Sequence, residues 1–172
     1  MSERSTTGRV QSAGGGDRVT ICGVDPGLHG GIALLGTPII LCQSMPVLAT
    51  GKGSKETLDL FRLRAVLMQA RHVVIESQQA FPKQGGCSNF TTGYGYGALQ
   101  GLCAGLGIPY SCVRPQVWKR DLGIVRGDKE QSIIVAKRLF PGVSLLPTPR
   151  CRKESDGIAE ALLIAEWGRR TL

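Results

Sequence analysis

Four acidic residues stand where a folding chain has little use for them. Asp25 closes the apolar run "ICGVD" and meets Pro-Gly at once, and Glu76 closes "HVVIE" in the same way. Asp156 and Glu160 lie four apart in "SDGIAEALLIA". That spacing puts both on one helical face, where like charges repel. Singly, each has an ordinary explanation. Asp25 is a common turn residue before Pro-Gly, Glu76 can be a solvated strand end, and Asp156 can cap a helix opened by Gly157. Glu160 borders the apolar stripe "ALLIA" and is the hardest to explain in that way. Together they suggest something else. Four carboxylates cannot share a small pocket in ionised form without a cation. Hard, all-oxygen donors select Mg²⁺ or Mn²⁺. Two such ions roughly 3.5–4 Å apart form the clamp of phosphodiester cleavage, one activating water and the other stabilising the leaving 3′ oxygen. The expectation is a site for two Mg²⁺ ions, with Mn²⁺ able to substitute, ligated by Asp25, Glu76, Asp156 and Glu160.

The overall charge complements such a site. Lys and Arg total 21 against 13 acids in 172 residues, a formal charge of +8. An excess of that size suits a polyanionic partner, nucleic acid above all, although a merely soluble basic surface would also carry it. No apolar run reaches the ~18 residues of a membrane helix. The six cysteines form no CxxC, and neither His29 nor His72 stands at zinc-like spacing. They are expected as free thiols of a reducing compartment, with Cys22, Cys103 and Cys112 as small core residues.

The elements that must hold the acids follow from the apolar pattern. Residues 1–17, polar and Ser/Thr/Arg-rich, are expected as a disordered leader, and 18–172 as a single domain. The leader's bias suits the remnant of an organelle transit peptide. Strands are expected at 18–25, 30–36 and 38–46, an antiparallel meander with Gly/Pro punctuation. A flexible basic loop (51–55) precedes a helix over 56–70, where apolar residues recur at helical spacing. A strand at 72–77, a helix in the later part of 89–108 and a strand at 109–115 come next. A short helix or turn (116–123) and helices over 128–142 and 153–171 complete the chain. This order predicts an α/β fold with one five-stranded mixed sheet, three strands antiparallel and two parallel, and helices on both faces.

The segments "GVDPG…GGIALL", "VVIES", "RPQVWKRDLG", "GDKEQSIIVAKRLFP" and "SDGIAEALLIA" resemble the RuvC-type Holliday junction resolvases of the ribonuclease H-like superfamily. The "KQGG…GYGYG" stretch is most similar to their monokaryotic-chloroplast branch. The resemblance covers roughly residues 19–168. It implies a homodimer that binds four-way junction DNA and nicks two opposed strands symmetrically, leaving ligatable 5′-phosphate ends in recombination, repair and genome segregation. It also implies an intracellular setting, a chloroplast nucleoid or otherwise a bacterial or phage-type cytoplasm. By position, Asp25, Glu76 and Glu160 match the family's acids, and Asp156 matches the acid or histidine one turn before the last. Bacterial members space that last pair three apart; here it is four. Lys119 and Lys129 match lysines at the active site and on the DNA. Phe81 stands where an aromatic can wedge against bases at the junction centre, or it can anchor its loop. Lys83, Gln84 and Gly85 are placed to read a base near the cut. The glycine-rich segment 93–105 falls at the family's dimer interface, or packs internally. A ribonuclease H-like nuclease for branched DNA or RNA/DNA hybrids, and a junction-binding protein without catalysis, remain alternatives. "GVDPGLHGG" also resembles the phosphate loop of actin-like ATPases, whose two lobes need more than 172 residues, so no nucleotide cofactor is expected.

Overall fold

The structure is a computed structural model that describes residues 20–36, 40–50, 56–82, 85–124 and 129–172, without the side chains of 40 and 129. The expected leader and the basic loop 51–55 therefore lie outside the described residues.

Seven strands and five helices are described: β1 (Ile21–Asp25), β2 (Gly31–Leu35), β3 (Ile40–Ser44), β4 (Val47–Ala49), β5 (Glu56–Leu58), α1 (Leu60–Leu67), β6 (His72–Glu76), α2 (Gly86–Gly105), β7 (Tyr110–Val113), α3 (Pro115–Asp121), α4 (Lys129–Leu139) and α5 (Asp156–Thr171). Five strands form the main sheet in the order β3-β2-β1-β6-β7. β2 runs antiparallel to both β1 and β3, while β6 and β7 join β1 in parallel. The mixed sheet expected from the apolar runs is the one found.

Alternation along β1 divides the core. Ile21 faces a layer built on α5, with Leu162, Leu163 and Ile164, and on Trp118 of α3. Cys22 and Val24 face the other layer, with Leu63 and Leu67 of α1 and Leu99 and Cys103 of α2. A strand covered on both faces reads as a near-continuous apolar run, which is why β1 and β2 are buried throughout except at Asp25. α5 lies directly on β1 because Gly23 has no side chain. A Cβ there would collide with the backbone of Ala161 and Ala165.

Three expectations need correction. The helix expected from residue 56 begins at Leu60. Glu56–Leu58 instead pairs antiparallel with Val47–Ala49 as a separate two-stranded ribbon. Asp59 breaks the pattern by capping α1, its Oδ1 accepting the Arg62 N–H at 3.1 Å. α2 starts earlier than expected, at Gly86, and runs unbroken for 20 residues. Cys112 is exposed rather than core, because β7 is an edge strand on which only Val113 is buried. All six cysteines are free. Among the described residues no helix is long and apolar enough to cross a membrane.

Candidate active site

Sheet register brings the first two acids together. β1 and β6 are adjacent and parallel, with Val24 opposite Ile75, so Asp25 and Glu76 end their strands side by side at the C-terminal end of the two. α5 brings the other two. Its first turn presses on the β1–β2 turn: a Cβ on Gly157 would stand 2.6 Å from the His29 carbonyl oxygen and 2.7 Å from Gly30 Cα. Only glycine permits that approach, and it carries Asp156 to the end where Asp25 stands. Ser155, not Asp156, caps α5; its hydroxyl accepts the Ile158 N–H at 3.3 Å. Asp156 is left in the first turn, where the helix dipole favours a carboxylate. Glu160 follows one turn later.

The crowding is felt at Asp25 and Glu76. Burial, the Glu76 carboxylate, Glu160 and Asp156 together push the Asp25 carboxyl up to about 7, opposed only by the Gly27 N–H. Glu76, 7% exposed, is raised by burial, partly offset by the Trp118 indole and further raised by Glu160. Trp118 Nε1 donates to Glu76 Oε2 at 2.8 Å, and Gln78 Nε2 donates a long bond of 3.4 Å to Oε1. Lys119 Nζ pairs with Glu160 Oε1 at 2.7 Å, and Ser132 Oγ donates to the same oxygen at 3.0 Å. The Lys119 ammonium also stands 5.0 Å from the Trp118 ring centroid, within cation–π range.

As they stand, no three of these acids converge at cation-ligand distance among the described residues. Glu76 and Glu160 are each committed through one oxygen to a donor from α3 or α4. The donor set nevertheless suits a hard dication. Four carboxylates crowd one end of the sheet, and the carboxyl of Asp25 is raised first by burial and then by the other three.

The architecture recurs in known structures. The chain aligns with Thermus thermophilus RuvC over 88% of its own length and 96% of that chain, with a TM-score of 0.52 and 20% identity. T. thermophilus RuvC in complex with Holliday junction substrate aligns over 88% and 95%, with a TM-score of 0.53 and 15% identity. The fold is that of RuvC. No protein-family model matches the sequence, and no curated protein matches it. The likeness to RuvC is therefore one of architecture, in line with the resemblance read from the motifs.

On this RuvC fold, Asp25, Glu76, Asp156, Glu160 and Lys119 come together. Of the remaining candidates, Phe81 and Gly85 are described and do not join them. Phe81 lies beyond β6, 59% exposed and outside both core layers. Its backbone is bracketed by Asn89 of α2, whose Nδ2 donates to the Phe81 carbonyl at 3.2 Å while Oδ1 accepts the Phe81 N–H at 3.4 Å. Gly85 is exposed at the N-cap of α2. Lys83 and Gln84 lie outside the described residues. Lys129 opens α4, and its side chain lies outside them as well. Sequence reasoning missed Trp118 and Ser132. Both are fully buried donors to the acids. The available signals were a tryptophan beside the site lysine in "QVWKRD" and a lone serine on the inward face of α4.

Proposed function

We propose that this protein is a structure-specific endonuclease, a Holliday junction resolvase that cuts four-way DNA junctions by paired symmetric nicks. The observation that carries this reading is the crowding of Asp25 by three carboxylates at the common end of β1, β6 and α5. Asp25, Glu76, Asp156 and Glu160 would hold two Mg²⁺ ions. When bound, the ions supply an activated water and a counter-charge for the leaving 3′ oxygen, leaving ligatable 5′-phosphate ends. Lys119, a quarter exposed at the rim of this group, offsets negative charge developing on the scissile phosphate. The fold shared with RuvC, one of whose structures holds Holliday junction substrate, supports junction DNA as the partner.

Other features of the chain fit that partner. Arg150, Arg152 and Lys153 are exposed on the segment leading into Asp156, and none has an ion-pair partner among the described residues. Three uncommitted cations beside the acids suit the phosphate backbone. Phe81, exposed beyond Glu76, would wedge against bases at the junction centre, and the family resemblance assigns Lys83, Gln84 and Gly85 to reading one. Lys129 is assigned to DNA contact. On α2, Gly93, Gly97, Gly101 and Gly105 recur every fourth residue, with open space beyond each. Gly95 alone of that segment's glycines faces inward, towards Pro26 and Leu58. A smooth outward stripe favours a second copy over internal packing, and two symmetric cuts suit a two-fold enzyme. The assigned setting is recombination and repair in a chloroplast nucleoid.

The test is cleavage of labelled four-way junction, linear duplex and RNA/DNA hybrid in Mg²⁺. Paired symmetric nicks in the junction, resealed by ligase, are expected. Preferential cutting of the hybrid would overturn the junction reading, and EDTA-resistant cutting would overturn the metal site.

A further inference from the structure

We propose that Trp118 and Ser132 are positioning residues for the cation site: each holds one oxygen of a glutamate, so that the other oxygen is the one presented to metal. The inference rests on the nuclease reading for its purpose and on the hydrogen bonds for its geometry.

The two arrangements are parallel. Trp118 Nε1, its single hydrogen-bond donor, meets Glu76 Oε2 at 2.8 Å, while Oε1 has only the long Gln78 contact. Ser132 Oγ and Lys119 Nζ both meet Glu160 Oε1, and no described donor reaches Oε2. In both glutamates one oxygen is held by a short bond to a donor from α3 or α4 and the other is left to swing towards a cation. The two donors come from α3 and α4, elements that contribute no acid of their own to the site. The shell thus ties those helices to the acids of β6 and α5.

Simple packing does not account for either residue. Ser132 is fully buried on α4, in the turn that also buries Val135 and Ala136. A hydroxyl there is unfavourable unless partnered, and the partner it has is Glu160. Trp118 is also fully buried, and phenylalanine would fill much of the same space without reaching Glu76. Hydrogen bonds to a carboxylate are the strong kind. Partners one step removed from a metal fix ligand orientation, and their loss typically weakens metal affinity or activity by ~10–100-fold.

Two measurements test this. In the first, Mn²⁺ binding to the DNA-free protein is followed by electron paramagnetic resonance for wild type, Trp118→Phe, Ser132→Ala and Ser132→Thr. Trp118→Phe and Ser132→Ala are expected to bind ~10–100-fold more weakly, and Ser132→Thr, which restores the hydroxyl, to recover. Junction affinity in Ca²⁺ should be unchanged. Mn²⁺ affinity within twofold of wild type in both folded donor-deleted variants overturns the proposal. The second needs no variant, so a folding failure does not blunt it. The chain has two tryptophans, and Trp167 donates to Asp121 at 3.0 Å rather than to a site acid. In the indole N–H spectrum of the wild type, Mg²⁺ should move the Trp118 signal and leave that of Trp167 in place. A Trp118 signal indifferent to saturating Mg²⁺ also overturns it. If the wild type cuts junctions while both measurements come out negative, the positioning role falls alone. If Mg²⁺ moves Trp118 but no junction is cut, the nuclease reading falls and the geometry stands.

Discussion

Replacing Asp25 with asparagine should abolish cleavage and stabilise the fold, and the size of the gain can be worked from the site. In the folded chain the carboxyl is raised from 3.8 to about 7, first by burial and then by Glu76, Glu160 and Asp156. At about 1.4 kcal/mol for each tenfold change in proton affinity, keeping Asp25 ionised costs roughly 4 kcal/mol of folding free energy. The sign follows from proton counting. Between about pH 4 and pH 7 the folded state retains a proton that the unfolded chain has released, so stability falls as pH rises through that window and levels off above it. Asparagine removes the charge and keeps an oxygen for the Gly27 N–H. Its buried amide N–H₂ needs partners of its own, and water reaches part of the residue, so about half of the gain should survive, roughly 2 kcal/mol. In a domain of this size that raises the melting temperature by about 4–8 °C.

The assay is thermal unfolding of wild type and Asp25→Asn in EDTA from about pH 4.5 to pH 8.5, read as the difference between the two. The difference should be slightly negative at the acid end, where Asp25 is protonated and only the amide's burial cost remains, turn positive as the pH rises towards 7 and stay flat above about pH 8. Mg²⁺ should then narrow it, because a cation that binds only the folded wild type restores stability by mass action. Equal melting temperatures at pH 8 without metal would refute the reasoning, as would a gain of the same size at every pH. Either result would mean that burial and the three neighbouring carboxylates do not burden Asp25.

The other predictions follow from packing and charge. Gly157→Ala forces a Cβ to within 2.6 Å of the His29 carbonyl oxygen; it should destabilise the fold by about 1–3 kcal/mol in urea and abolish cleavage, because α5 must move and take Asp156 and Glu160 with it. Gly97→Leu meets open space within its own chain, so unfolding should be unharmed while sedimentation shows a dimer becoming a monomer. Exchanging Arg150, Arg152 and Lys153 for glutamine should weaken junction, duplex and fork alike and flatten the plot of log affinity against log salt by up to ~3.

Much of the sheet was legible because each of its strands is an apolar run closed by Gly, Pro or an acid. The two central carboxylates were legible for the same reason, since Asp25 and Glu76 interrupt that pattern at strand ends. The β4–β5 ribbon was not, because three-residue strands show too little periodicity. Leu58, Leu60, Phe61 and Leu63 fit a helical count equally well, although Phe61 proves 87% exposed and Leu58 belongs to a strand. The one local signal was Asp59, whose capping role marks the true helix start. Trp118 and Ser132 were illegible for another reason. Their partners lie 42 and 28 residues away, and nothing in a one-dimensional pattern says where an indole N–H or a buried hydroxyl points.

The glycines of "PGLHGG" show how a correct local reading changes meaning in three dimensions. Glycines there predict room for a close neighbour, either a phosphate or another stretch of backbone. The neighbour is the chain's own α5, pressed against Gly30 and Gly31 at Gly157. That contact sets how near Asp156 and Glu160 stand to Asp25, and their nearness contributes to the rise of Asp25 to about 7. The electrostatic tension of the site is therefore built by backbone packing at residues that carry no charge. A substitution at Gly157 that lets α5 retreat should relax Asp25 towards an ordinary carboxylate as it disperses the acids, so that acidity and activity fail together.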